Sequence, residues 1–567
     1  MKEPTHDIRD WQNAVESGLR YRKDYGKDQR WETYKSFYRN DFASQTLPIN
    51  ITHSHARTII PTVYFRNPNI IITSHKGNFM HARLIESTDN WLLQEMDVKP
   101  TIKTMLLDAF LCGKGIGKIG YDSQYGYDPK LQVTFPLDST LSSFGKKGER
   151  LEYNINIKPG MPWFERCSPN TIIVPFGSRT LTELPWIDHV SLRPLRDVLA
   201  DPKYKNLKDL QGSHMELLFK GREKENFYTE LRRSDEWVEI HEIRDARRGE
   251  IMTFVPNYDK WLREPQPDHL QIEGLPFEAI GFDEDPDYFW EIPEAGLIYP
   301  QQLEMNETRR QAQLHRRIAL LKFLVDKDKI NDIEIEKMLK EGGIPVCKVE
   351  GDPRTAVQAV QPHVPPDLAT WVELIRKDVR ELLGYSRNEM GEFEGGSRRT
   401  ATEAGIVHTG AQIRISEKQD ALADMLVRMI RKVNQVIFSL WSTPHVVQLV
   451  GMDGAVHWVQ YQKEDIVGEY SLKVDVESMS PVTTALQRKE IIEVLTAIGK
   501  HPNVNVDYFL RLLLRQYPWL DVMQALPQAP EGQMTTQEFM SHQERLKSHP
   551  QELQERVQRN LNVAQGM

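Results

Sequence analysis

The run Gly115-Ile-Gly117-Lys-Ile-Gly120 satisfies the GxGxxG spacing that lets a backbone approach a dinucleotide pyrophosphate. That chemistry needs the motif to follow a strand and open a helix, so that the helix N-terminus faces the phosphates. Here the order is reversed. Ile102, Met105, Leu106, Ala109 and Phe110 recur at helical spacing before the glycines, and Lys118-Ile-Gly-Tyr121 reads as a strand after them. A tight helix-to-strand turn with glycines at positive φ is therefore expected, without a bound cofactor. Gly113-Lys-Gly115 lacks the Ser or Thr after lysine, and the earlier glycine, of a Walker A loop. His53 and His55 stand among 17 histidines with no HExxH, and no GxSxG occurs. Cys112, Cys167 and Cys347 are far apart and form no CxxC, which excludes a disulfide framework and a thiolate zinc site. Asp283, Glu284 and Asp285 fall in a Pro-bearing stretch and read as a solvated acidic loop. No nucleophile, base and stabilising group assemble into a catalytic set, so no enzyme, metal or cofactor is expected.

Basic residues offer a different chemistry. Arg309, Arg310, Arg316 and Arg317 lie on one predicted helix, with 309, 316 and 317 expected near one another. They would meet DNA phosphates or the acids of a neighbouring subunit; a solvated helix face is the plain alternative. Arg398 and Arg399, beside a glycine-bearing loop, carry the same two readings.

The elements that would position these groups fall into blocks. The first forty residues read as helix, through Trp11, Val15, Leu19 and Tyr21 and then Trp31, Tyr34, Phe37 and Tyr38. Ile70, Ile71 and Ile72 read as a short buried strand, and 81–111 as helix broken at Pro100. From the glycines to about 290 the chain is β-like, with Trp237–Ile243 alternating and Ile251–Val255 as its hairpin partner. A helix over 301–323 follows, then a βαβ-like unit of strand Phe323–Val325, helix 331–341 and strand Ile344–Val349. After Pro362, Pro365 and Pro366 comes a helix with Asp367 as its cap and Leu368, Trp371, Ile375, Val379 and Leu382 on one face. The polar loop 384–401 precedes a helix over about 402–441, with Ile415, Leu422, Leu426, Met429, Val433, Ile437 and Leu440 as its apolar side. Strands at 455–461 and 470–476 and a helical region precede a Gln-rich tail, expected to be mobile or ordered by a partner.

At 567 residues, with 40% hydrophobic and 27% charged residues, the chain is long enough for several cored units. The start Met1-Lys-Glu-Pro-Thr-His-Asp has no apolar signal region, and no stretch approaches a membrane span, so the protein is expected to be cytosolic where it is made. A formal charge of −9 argues against tight static DNA binding by the whole surface, yet leaves room for a channel through which DNA slides.

The order of several short motifs resembles that of tailed-bacteriophage portal proteins of the podovirus type, the head-to-tail connectors of the portal vertex. The motifs are Tyr64-Phe-Arg-Asn-Pro68, Trp91-Leu-Leu-Gln-Glu-Met96, Asp108–Gly113 leading into Gly117–Asp122, Leu275-Pro-Phe277, Asp287-Tyr-Phe-Trp290, and Thr400-Ala-Thr-Glu403 opening the long helix. The resemblance implies an α+β portal fold: a wing (1–296), stem helix 1 (297–322), a small α/β clip (323–365), stem helix 2 (366–383), a tunnel loop (384–401), the wing's long helix and strands (402–482), a helical crown (483–528) and a polar tail (529–567). It implies a homododecameric ring at one capsid vertex, in the virion after assembly in the host cytoplasm. Its partners would be double-stranded DNA read without sequence preference, the terminase large subunit, head–tail adaptor and tail proteins, and major capsid and scaffolding proteins, with no membrane and no cofactor. Genome packaging, retention and ejection would be its work. In the tunnel loop Arg387, Asn388, Glu392, Glu394, Arg398 and Arg399 would meet DNA; in the clip Lys327, Lys329, Glu336 and Lys340 would dock partners. Another oligomeric connector or collar protein, and a metal-dependent nucleic-acid-processing enzyme in the region 120–290, are the alternative readings.

Overall fold

The α1 helix (Ile8–Asp28) starts where Asp7 accepts a hydrogen bond from the Arg9 backbone N–H, relieving one orphan donor of its first turn. A computed structural model describes it together with residues 6–42, 49–74, 79–121, 161–201, 204–212, 237–256, 258–318, 322–326, 328–339, 348, 350–352, 354, 357–360, 367–383, 401–441, 445–450, 456–461, 470–476, 479, 492–494, 496, 533–535 and 541. The class is mixed α+β with several small sheets. The chain divides into two compact units: unit 1 comprises 1–31, 56–294 and 403–567, and unit 2 comprises 32–55 and 295–402.

In unit 1, α1 lays Trp11 and Val15 on a five-stranded antiparallel sheet. Its strands are β4 (Ile172–Ile173), β5 (Trp186–Pro194), β6 (Trp237–Asp245), β7 (Glu250–Phe254) and β8 (Arg263–Pro267), preceded in the chain by β1 (Asn69–Ser74), β2 (Lys114–Tyr121) and β3 (Pro162–Cys167). Trp11 meets Trp186 edge to face at 5.9 Å, and Ile243, Met252 and Phe254 complete that core. Leu195 opens the short α6 (Leu195–Ala200), whose Val198 joins Val238, Ile240 and Leu262 in a second cluster on the sheet. The predicted hairpin β6–β7 is present, with Gly249 at φ +65° in its turn.

A second antiparallel sheet runs β3-β2-β9, with β9 at Phe277–Gly281. Helices α4 (Phe79–Glu95) and α5 (Val98–Cys112) precede β2 in the chain. Pro100 does not break this helical stretch. The interruption falls at Asp97, left-handed at φ 47°, and Pro100 sits in the first turn of α5, where its missing N–H costs nothing. None of the GxGxxG glycines has positive φ, whereas Gly113, just before them, does, at +86°. Gly115, Gly117 and Gly120 lie inside the fully buried β2, where a Cβ would strike the Met105 carbonyl, the Phe164 ring and the Trp163 ring respectively. Close packing, and not a turn, requires them.

Strand β1 alternates: Ile70 and Ile72 are buried and Ile71 is exposed, so the three isoleucines form a half-buried strand. Its antiparallel partner is β14 (Tyr470–Asp475). Strands β12 (His445–Val450) and β13 (Val456–Tyr461) pair antiparallel, and β15 (Gln533–Thr535) joins β13 in parallel. Three residues of the polar tail thus belong to a sheet, against the expectation of a tail without structure of its own. Most of 483–528 lies outside the described residues.

The long helix is present as Ala401–Leu440, which at 1.5 Å per residue spans about 60 Å. Its Leu422, Leu426, Met429, Val433 and Ile437 are fully buried, and Leu440 is half-buried. Arg428 and Lys432 on this helix grip the buried Glu278 of β9 at 3.1 and 2.6 Å.

Candidate functional site: the helix pair of unit 2

Helices α2 (Trp31–Tyr38), α3 (Ile51–Val63) and α7 (Glu294–Leu297) lead to α8 (Tyr299–Ile318) in chain order. Within unit 2, Gln302 of α8 is wholly buried. Its Oε1 accepts from the backbone N–H groups of Ile51 and Thr52 at 2.7 and 3.2 Å, capping the start of α3. Its Nε2 donates to the Ile49 carbonyl and to Asn306 Oδ1. No motif in the sequence marks this glutamine, because the groups it satisfies lie some 250 positions earlier.

After α8 come β10 (Lys322–Val325), α9 (Asp332–Leu339), β11 (Val357–Val360) and α10 (Asp367–Leu383); the 40-residue helix is α11. The partner of β10 is β11, antiparallel, with Lys322 opposite Val360. Of the expected strand 344–349 only Lys348 is described, and it is not in a strand; the rest of that expectation lies outside the described residues. The two described strands of the insertion pair antiparallel, unlike the parallel strands of a βαβ crossover. Helix α10 begins at Asp367 itself and packs against α8.

The expected apolar face of α10 is split. Ile375, Val379 and Leu383 are buried, whereas Trp371, Leu374 and Leu382 stay 48%, 42% and 44% exposed. At about 100° per residue the two sets fill adjoining halves of one apolar arc, so a single neighbouring helix covers only half of it. Asp378 lies among the exposed three, half-buried and without an ion-pair partner among the described residues. On α8, Leu303 and Leu314 are likewise exposed, eleven positions apart and hence about 20° apart around the axis.

The four arginines of α8 do not form one patch. Arg309 and Arg316 share one face, and Arg310 and Arg317 share another about 100° away. Arg310 is engaged by Glu307 through two hydrogen bonds of 2.8 and 2.7 Å. The arginine's hydrogen bonds hold the Glu307 carboxyl below the usual carboxylate range, and the glutamate raises Arg310 in turn. Arg309 is half-buried, and its Nε finds no acceptor among the described residues. Arg316 and Arg317 are exposed in the last turn, where positive charge also suits the helix dipole.

In the insertion, Lys329 pairs with Asp326 at 2.8 Å and lowers its carboxyl, while Glu336 is exposed on α9. Ile333 of the same helix is 61% exposed. Lys327, Lys340 and the loop positions Arg387, Asn388, Glu392, Glu394, Arg398 and Arg399 lie outside the described residues, as does Cys347. Cys112 and Cys167 are buried and in no disulfide, and burial pushes the Cys167 thiol up to about 12. His55 is buried, and burial followed by the charge of Arg380 lowers its imidazole to about 4. Among the described residues no group of three or more His, Cys, Asp or Glu side chains could hold a metal ion, and no helix is long and apolar enough to cross a membrane.

No family model and no curated protein matches this chain. Two solved structures align with it over 80% of its length and 86% of theirs, each at 8% identity. One is the neck of an empty gene transfer agent particle computed with C6 symmetry, at a TM-score of 0.37; the other is the virion of a native gene transfer agent particle, at 0.36.

Proposed function

We propose that this chain is the subunit of a homo-oligomeric ring through which double-stranded DNA passes, the portal of a phage-like capsid. The observation that carries the reading is the paired helices α8 and α10, which leave large apolar side chains on solvent: a stripe of Trp371, Leu374 and Leu382 on α10, and on α8 Leu303 and Leu314, separated by the exposed Glu307–Arg310 pair. Burying a side chain of this size stabilises by about 1.5–3 kcal/mol, so the α10 stripe in particular favours a partner. The two helix faces differ, one continuous and apolar and the other mixed. Contact between unlike faces propagates from copy to copy and closes into a ring when the rotation permits.

DNA contact in this reading is sequence-independent. Arg316 and Arg317 have no neutralising carboxylate among the described residues and supply local attraction, within a chain whose net charge of −9 discourages a clamp. The insertion between the helices, 323–365, would dock the terminase and later the head–tail adaptors, through Lys329, Glu336 and the exposed Ile333. The loop 384–401 would face the DNA.

Negative-stain electron microscopy of the full chain tests the reading. Rings with a central channel and near twelve-fold symmetry are expected; a folded monomer at micromolar concentration, unchanged by addition of scaffold or capsid protein, contradicts it. Deletion of Glu392–Ser397 should leave rings intact and impair DNA packaging, and normal packaging would remove the loop assignment.

A further inference from the structure

Beyond its N-cap Asp97, helix α5 carries positive charge against its own dipole in its first turns, and it abuts a group of acids at the other end. Its first turn holds no acidic residue and places Lys99 at the second position, where the orphan N–H groups already make the end positive. Lys103 follows one turn on, and Arg57 of α3 stands exposed close by. Burial, then the like charges of Lys99 and Arg57, lower the Lys103 ammonium. Among the described residues none of these three has an ion-pair partner. Lys99 Nζ sits 5.7 Å from the ring centre of Phe65, which is 46% exposed.

The C-terminal end of α5 meets the loop after β9. A Cβ on Gly113 would strike the Glu291 backbone oxygen, and Lys114 Nζ reaches the Phe289 carbonyl at 2.7 Å and Glu291 at 2.9 Å. This loop exposes Glu284 and Asp287 and half-exposes Asp285; among the described residues Asp287 has the solvent-exposed Arg179 at 4.0 Å as its ion-pair partner. Beside the acids, Tyr288 is 45% and Phe176 61% exposed, both resting on Tyr21 at 6.2 and 5.4 Å between ring centres. The Tyr21 hydroxyl accepts from the Phe289 N–H, and Tyr25 donates to the Glu291 carbonyl, so the aromatic platform is held from beneath.

Unit 1 therefore shows a basic surface around an exposed phenylalanine and an acidic surface around exposed aromatics, at the two ends of a 15-residue helix about 22 Å long. We propose that these are the two halves of one subunit contact: the Arg57–Lys99–Lys103–Phe65 surface of one copy receives the Glu284–Asp285–Asp287–Tyr288 surface of the next. The proposal rests on the ring reading above and adds where unit 1 closes it. Like charges clustered on one surface cost stability in a lone subunit, and opposite charges across an interface offset that cost and fix which surfaces meet. Because the surfaces are unlike and lie at opposite ends, pairing does not stop at a dimer.

Charge reversal in the full-length protein, read by mass photometry, tests this. Arg57→Glu with Lys99→Glu leaves both surfaces acidic; Glu284→Lys with Asp287→Lys leaves both basic. Each double variant alone should fail to assemble where the wild type does, and an equimolar mixture should regain assembly as alternating subunits. The neutral pair Arg57→Gln and Lys99→Gln, a milder change, should weaken assembly about tenfold. Wild-type rings together with rings of either reversed variant alone would overturn the proposal and leave the ring reading standing. Intact rings of the first variant with lost DNA binding would overturn it by showing a phosphate site. A wild type that never assembles would sink the ring reading itself.

Discussion

Asn434 of α11 donates its amide to Asp89 Oδ2 of α4 at 3.1 Å, where Asp89 is cut off from water. Burial raises the Asp89 carboxyl to about 8, so near neutrality it is largely protonated. A raised acid favours folding at low pH. Its contribution is full below the ordinary carboxyl value of 3.8 and is lost as pH rises through about 8. Asp89→Asn should raise stability at pH 8 by about 1 kcal/mol or more and flatten its decline between pH 4 and 8. Denaturant midpoints at the two pH values check this, and a less stable Asn variant at pH 8 would contradict it.

His241 and Asp188 form the opposite case. His241 Nδ1 lies 2.6 Å from Asp188 Oδ2 across β6 and β5, both fully buried, with Glu239 at 3.5 Å from the other ring nitrogen. Burial alone would lower the imidazole, but Asp188 and then Glu239 more than reverse this and raise it to about 9. That stabilisation is full below the ordinary imidazole value of 6.5 and is lost as pH rises through about 9. Asp188→Asn should cost about 3 kcal/mol at pH 7, because it strands a buried cation. Thermal melts of the variant at pH 6 and 9.5 should converge on the wild type at the higher pH.

Gly117→Ala should be among the most destabilising small substitutions in the chain. The added methyl would meet the Phe164 ring and the Met105 sulfur inside a fully buried strand. A loss of about 3 kcal/mol is expected, and a Tm within a degree or two of wild type would refute the packing account of the GxGxxG glycines.

Trp371→Ala should weaken self-association by about 2 kcal/mol, roughly thirtyfold, while leaving the fold of the lone subunit unchanged, since half of that ring already faces solvent. Mass photometry across a dilution series gives the first number and circular dichroism the second.

Arg316→Gln with Arg317→Gln should lower the salt dependence of DNA binding by about two phosphate contacts' worth of slope, equally for unrelated sequences. Anisotropy titrations at several salt concentrations read this directly. Arg310→Gln should change it less, because Glu307 already occupies that guanidinium.

Sequence alone determined the local elements. Apolar residues at helical spacing defined α1, α5, α8, α10 and the 40-residue α11, and alternation defined the β6–β7 hairpin, because periodicity depends only on neighbours along the chain. It also placed the glycine motif after a helix and not before one, against the order a dinucleotide site needs, but it expected a turn where the glycines in fact lie within strand β2. Tertiary structure decided everything that depends on what lies across a gap. Nothing near Gly117 in sequence tells that Phe164 fills the space a side chain would need. Nothing in the polar tail shows that Gln533–Thr535 extends the edge of β13, since a three-residue strand has too few positions for a period to appear. The α10 periodicity marks Trp371, Ile375, Val379 and Leu382 alike; only packing shows that one half of the arc is covered and the other left exposed. The two charged surfaces at the ends of α5 were invisible for the same reason: Arg57 and Lys99, like Gly113 and Glu291, become neighbours only when separated parts of the chain are folded together.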